Sequence, residues 1–172
     1  MPRPATRRSR RALGMFMSAL TTLQRDGIAR LIPHSGTMCL LDRLDDWDPQ
    51  RVVCSAANHR DPMHPLRTRS GLLSSCLIEY AAQAMALHGA LGAQAQGRQA
   101  SPGYLASVRG VRLQCLRLDD LPPATPDELR IEATRQAGDE RQILYTFTVQ
   151  HGGRALAEGR AAVVLNSPLP ST

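Results

Sequence analysis

Leu73-Ser74-Ser75-Cys76-Leu77-Ile78-Glu79-Tyr80-Ala81-Ala82-Gln83-Ala84-Met85-Ala86-Leu87-His88-Gly89-Ala90-Leu91 is the stretch on which the fold turns. Ala81, Ala82, Ala84, Ala86 and Ala90 are strong helix formers, and Leu73, Leu77, Tyr80, Ala84, Leu87 and Leu91 recur at intervals of three and four. The spacing predicts a helix over 74–95, with Ser74 or Ser75 as N-cap and Gly92 or Gly97 at its end. At ~1.5 Å per residue it is about 30 Å long, enough to cross a small domain. It is apolar almost all round, so it belongs inside the fold.

The flanks read as strands. Gly36 to Trp47, leaving a turn at Pro33 to Gly36, and Arg51 to Asn58 form two before the helix. Tyr104 to Leu118, Glu128 to Gln136, Gln142 to Gln150 and Arg154 to Leu165 follow it, with turns at Gly138-Asp139 and Gly152-Gly153. Thr146, Thr148 and Gln150 alternate with Tyr145, Phe147 and Val149, so one face of that sheet is wet. Two strands, a greasy helix and an antiparallel meander give an α+β fold. One domain over 28–166 accounts for a chain of 172 residues. Only 3% of the residues are aromatic, so the core is expected to be aliphatic.

Net charge is +6, which invites a nucleic-acid reading. Five of the 21 basic residues (Arg3, Arg7, Arg8, Arg10 and Arg11) lie in the first 14 positions, and the remaining 16 face 15 acidic residues. The body is near neutral and nucleic-acid binding loses its support. Residues 1–20 are expected to be a disordered basic extension, with Met17 as an alternative start, and 167–172 a tail. The twin arginines before Ala12 to Leu20 lack the cleavage site of an export signal. No stretch approaches the ~20 apolar residues of a membrane span. Cys39, Cys54, Cys76 and Cys115 show neither Cys-x-x-Cys pairing nor a histidine at ligand spacing; reduced thiols, no metal and a cytoplasmic location are expected.

Glu79 is the most informative residue, because an unpaired ionised carboxylate inside an apolar helix costs several kcal/mol. Either it lies on a hydrated edge, or it is a general acid or base tuned by an apolar pocket. A proton-transfer partner is then needed, and His64, in Pro62-Met63-His64-Pro65 just before the helix, is the best candidate. His59 is its rival. His34, with Asp42-Arg43, is expected to shape the first strand and its ion pairs, His88 to be a core or dimer-face histidine, and His151 to be solvated.

Ile32-Pro33-His34 followed by Met38-Cys39-Leu40-Leu41-Asp42-Arg43-Leu44 resembles the opening of the β-hydroxyacyl-acyl-carrier-protein dehydratases (FabZ/FabA type). His64 fifteen residues before Glu79, the helix run Leu77 to Ala84, and Gly103-Tyr104-Leu105-Ala106-Ser107-Val108 resemble the same family in the same order. The resemblance implies a hot-dog fold, a curved antiparallel sheet around one long helix, and a homodimer joined edge to edge; a higher oligomer and a heterodimer with a paralogue are the alternatives. It implies that His64 of one subunit removes the α-proton of a 3-hydroxyacyl thioester while Glu79 of the other protonates the departing hydroxyl. Backbone N–H groups near Ser74 and Ser75 would hold the thioester oxygen. Arg67 and Arg69, and less directly Arg109 and Arg112, would meet an acyl carrier protein, and no cofactor is called for. Met63-His64-Pro65-Leu66 departs from the family's Gly-His-Phe-Pro-Gly, and Ser70 to Ser74 replaces its Pro-Gly turn. The pattern is more similar to the divergent dehydratase-like proteins of aryl-polyene and related pigment pathways. A thioesterase using Glu79 alone, and a non-catalytic partner subunit, are the competing expectations.

Overall fold

The computed structural model describes residues 23–165. The expected N-terminal extension and the C-terminal tail lie outside the described residues. The elements are α1 (Arg25–Ala29), β1 (Arg43–Trp47), β2 (Arg51–Ala56), α2 (Leu77–Ala95), β3 (Gly103–Leu113), β4 (Leu129–Gly138), β5 (Gln142–His151) and β6 (Arg154–Leu165). Short 3-10 turns stand at Gly36–Met38, Asn58–Arg60 and Ser74–Cys76. The six strands form one sheet in the order β1-β2-β4-β5-β6-β3, every neighbouring pair antiparallel. Among the described residues no helix is long and apolar enough to cross a membrane.

The helix forms where the alanine-rich run predicts it and packs against β2, β4 and β5. Leu77, Tyr80, Ala84, Leu87 and Leu91 are buried along it. The alanines between them keep its girth small, so the sheet can curve around it. Neither Ser74 nor Ser75 caps it by a side-chain hydrogen bond; a 3-10 turn leads in, and the cap position falls on Cys76. Its end is at Gln96, with Gly97 at φ +66° and the Arg98 N–H returning to the Ala93 carbonyl at 2.9 Å. That is a glycine-terminated C-cap; Gly92 lies inside the helix.

The first strand is shorter than the sequence predicts. Met38 to Leu41 stay outside the sheet although Cys39, Leu40 and Leu41 are fully buried, and pairing with β2 begins at the Asp42 N–H, which donates to the Ser55 carbonyl at 2.9 Å. The reason is a change of hydrogen-bond partner: the Leu40 N–H donates to Gln83 Oε1 at 2.9 Å, and Gln83 Nε2 donates to the Met38 carbonyl at 2.8 Å. A helix side chain here takes the place of a neighbouring strand. The β5–β6 hairpin turns at Gly152 and Gly153, both at positive φ (54° and 77°), as a two-residue turn between twisted strands requires. Tyr145, Phe147 and Val149 point inward and Thr146, Thr148 and Gln150 are half-exposed, as the alternation predicts.

The core is mainly aliphatic, as expected, but it gathers Trp47, Tyr80, Tyr145 and Phe147, four of the six aromatic residues in the chain. β3 lies at the sheet edge, paired with β6 alone, and is the most exposed strand, with Tyr104 and Leu113 open to solvent.

Candidate active site

Glu79 stands in the first turn of α2. Its side chain is one-third exposed, on the hydrated edge of the helix rather than sealed in the core. Gln83 Nε2, four residues on along the same face, donates to its Oε1 at 3.0 Å, and His34 Nε2 lies 3.1 Å from the same oxygen. Gln83 is fully buried, and the Leu40 N–H fixes which end of its amide is the oxygen. The NH2 group must therefore face Glu79 and Met38. Gln83 thus ties the carboxylate to the backbone segment that follows His34.

His64 is buried and held differently. Its Nδ1 accepts the Leu66 N–H at 3.1 Å, so in the neutral ring Nε2 carries the hydrogen and donates to the Tyr80 hydroxyl at 2.9 Å. Tyr80 in turn donates to Asn58 Oδ1 at 2.6 Å, and Asn58 Nδ2 donates to the Leu40 carbonyl at 3.0 Å. Within one chain both nitrogens of His64 are engaged, and the imidazole that touches Glu79 is His34. Burial lowers the pKa of His64 and raises that of the Tyr80 hydroxyl.

The other sequence-predicted residues fall as follows. The Ser74 N–H donates to the Leu116 carbonyl at 2.9 Å, and Ser75 is exposed at the helix start. Arg67 is paired with Asp119 at 2.8 Å and Arg112 with Glu158 at 3.0 Å, while Arg69 and Arg109 are exposed. All four cysteines are free thiols; Cys39 and Cys54 are buried, Cys76 and Cys115 half-buried. His88 is a satisfied core histidine: its Nε2 donates to the Asp48 carbonyl and its Nδ1 accepts from Tyr145, both at 2.9 Å.

His151 overturns its expectation. It is 5% exposed, not solvated, and its Nε2 lies 2.7 Å from Asp127 Oδ1. The hairpin turn begins after it, and it continues the inward parity of Tyr145, Phe147 and Val149. That parity was the available signal. His59 is also fully buried, with Nε2 3.5 Å from the same carboxylate oxygen, at the outer limit of a hydrogen bond.

Burial lowers the pKa of both His64 and His88, so they stay neutral in the fold. Below about pH 6.5 the unfolded imidazoles bind protons that the folded ones refuse. Their contribution to stability is therefore complete above that pH and is lost as pH falls from about 6.5 toward 5, by roughly 1.4 kcal/mol per histidine for each unit of depression. Urea midpoints across that range check this, and a flat profile would contradict it.

One antiparallel sheet curved around one long helix, with a polar site at the helix start, defines a hot-dog protein. The dehydratase heterocomplex ApeI:P from Xenorhabdus doucetiae has this fold at a TM-score of 0.72, with 23% identity over 81% of this chain and 91% of that chain. An uncharacterized protein from Pyrococcus horikoshii matches at 0.51 with 13% identity over 75% and 85%, and the HP0420 homologue from Helicobacter felis at 0.51 with 10% identity over 90% and 98%. Among curated proteins no sequence match was found. The ApeP-like family, described as ApeP dehydratase, matches residues 27–170. The chain belongs to the ApeP-like dehydratase family.

Proposed function

We propose that this chain is a subunit of a dehydratase that removes water from 3-hydroxyacyl thioesters on an acyl carrier protein, giving the trans-2-enoyl thioester. The observation that carries the reading is the one-third-exposed Glu79 carboxylate at the start of the buried helix, oriented by Gln83 and in contact with an imidazole. Family membership supports the reaction class. Protonated Glu79 gives its proton to the departing C3 hydroxyl, which leaves as water, while an imidazole takes the C2 proton. The base ends as imidazolium and Glu79 as carboxylate, so one proton must return before the next cycle. His34 Nε2, 3.1 Å from Glu79, has a direct path for that return.

His34 is the imidazole beside Glu79 in the single chain, and to act as base its Nε2 must turn from the Glu79 oxygen to the C2 proton. His64 of a partner subunit is the base that the resemblance implies, and to act it must release Leu66 or Tyr80. His34→Gln is expected to lower turnover about 100-fold or more, within the range for general acid–base groups, and His64→Gln less than about tenfold. The check is enoyl absorbance against free-thiol release on a 3-hydroxyacyl thioester. The reverse order would move the base to His64, and thiol release without enoyl product would favour a thioesterase.

The exposed edge of β3 supports assembly with a second hot-dog chain, either another copy or a paralogue; the ApeI:P neighbour is itself a heterocomplex. In a heterodimer this chain could serve as a non-catalytic partner. Exposed Arg69 and Arg109 suit the acidic surface of a carrier protein better than Arg67 and Arg112, whose charges are already paired. Ser75 remains the candidate donor to the thioester oxygen, since the Ser74 amide is taken. Conjugated or aryl acyl chains are the proposed cargo, and the chemistry needs no cofactor.

A further inference from the structure

His59, Asp127 and His151 meet at one end of the sheet, though far apart in sequence. His59 comes from the 3-10 turn after β2, Asp127 from the approach to β4, and His151 from the last position of β5, opposite Leu129. One ligand-type atom from each lies within 4.8 Å of the other two. His151 Nε2 is 2.7 Å and His59 Nε2 3.5 Å from Asp127 Oδ1. Around a tetrahedral ion with bonds near 2.0–2.1 Å, neighbouring ligand atoms stand about 3.3 Å apart. The observed separations bracket that value.

The second observation is His59 itself. It is completely buried, yet neither ring nitrogen has a satisfactory hydrogen-bond partner. Buried polar groups in folded proteins are nearly always paired, so an imidazole left in this state and turned toward a carboxylate asks for a ligand. Arg60 does not fill the need. Its Nε holds the other oxygen, Asp127 Oδ2, at 2.7 Å; its Nη2 lies 3.2 Å from Oδ1 and 2.9 Å from the Leu121 carbonyl. Arg60 Nη1 reaches the Asp119 carbonyl at 3.3 Å and Nη2 the Pro122 carbonyl at 3.4 Å. With three carbonyls beyond Asp127, the guanidinium can keep Oδ2 as an outer-shell partner and yield Oδ1.

We propose that His59, Asp127 and His151 bind one divalent transition-metal ion of the Zn2+ class, through two imidazole nitrogens and one carboxylate oxygen. The ion replaces the hydrogen bond from His151 to Asp127 and satisfies His59. Because the Asp127 side chain is 36% exposed, a fourth position is open to water. Asn58, next to His59, anchors the Tyr80 hydroxyl, so the ion also fixes the turn on which the His64–Tyr80 chain ends. The proposal is independent of the dehydratase reading.

The test uses the untagged full chain stripped of metal by a chelator. Co2+ is titrated in and followed by the visible absorption of tetrahedral sites, and Zn2+ is then added as competitor while the melting temperature is recorded. One equivalent of Co2+ displaced by one of Zn2+, with Zn2+ raising the melting temperature, is expected. His151→Gln and Asp127→Asn should each weaken binding by more than the roughly 10–100-fold lost with an outer-shell partner. Cys76→Ser and Cys115→Ser should leave it unchanged. His59→Gln is read in the same way if it folds, and Asp127→Asn, at the partly exposed ligand, decides if it does not. Absence of the Co2+ bands, or binding that survives the His151 and Asp127 substitutions, overturns the proposal.

Discussion

Glu79→Gln is expected to lower dehydration turnover about 10²- to 10⁴-fold, the range for loss of a positioned general acid, while the melting temperature barely moves. The side chains have nearly the same volume, and an amide oxygen can still accept the Gln83 N–H that now reaches the carboxylate at 3.0 Å. What an amide cannot do is deliver a proton to a leaving hydroxyl or take one back from His34. Stability should change little, because Glu79 and His34 are 33% and 30% exposed and solvent screening leaves such a pair about 0–1 kcal/mol. Enoyl formation and thermal melting measured on the same preparation separate the two effects. Unchanged turnover would remove the acid from the mechanism.

The largest stability effect is expected from Leu87→Ala. Leu87 is fully buried on the face of α2 that enters the core. Alanine is the better helix former, so the helix itself gains slightly, and the whole loss comes from the cavity and the lost apolar contact. About 2–5 kcal/mol is expected, read as a drop in the urea midpoint at constant slope. Leu116→Ala, at a leucine 77% exposed, should stay within about 0.5 kcal/mol. Equal effects at the two positions would contradict the placement of the helix inside the sheet.

The helix and the sheet meander were legible because their signals are local. Alanine content and three-four spacing mark α2, two glycines mark the β5–β6 turn, and alternation marks the faces of β5. The segment from Met38 to Leu41 reads as strand but is none, because its partner is Gln83, a side chain more than forty residues away. Periodicity reports burial, which Leu40 and Leu41 have, but not whether a strand or a glutamine satisfies their backbone. The candidate site divides along the same line. Glu79 stood out as a charge in an apolar run. Its contact with His34 did not, because it depends on how the Pro33-His34 loop passes the start of α2. His59 and His151 meet only through the register of β2, β4 and β5.

The most direct test of the central claim follows heavy oxygen. A 3-hydroxyacyl thioester on its carrier is incubated with the protein, together with its partner chain if the assembly is a heterodimer, in water enriched in heavy oxygen, and the products are analysed by mass spectrometry. Reversible loss and return of water through Glu79 predicts label at the C3 hydroxyl of intact thioester, and far less with Glu79→Gln. Label appearing only in a free carboxylate, or label at C3 that persists in the variant, would contradict the account.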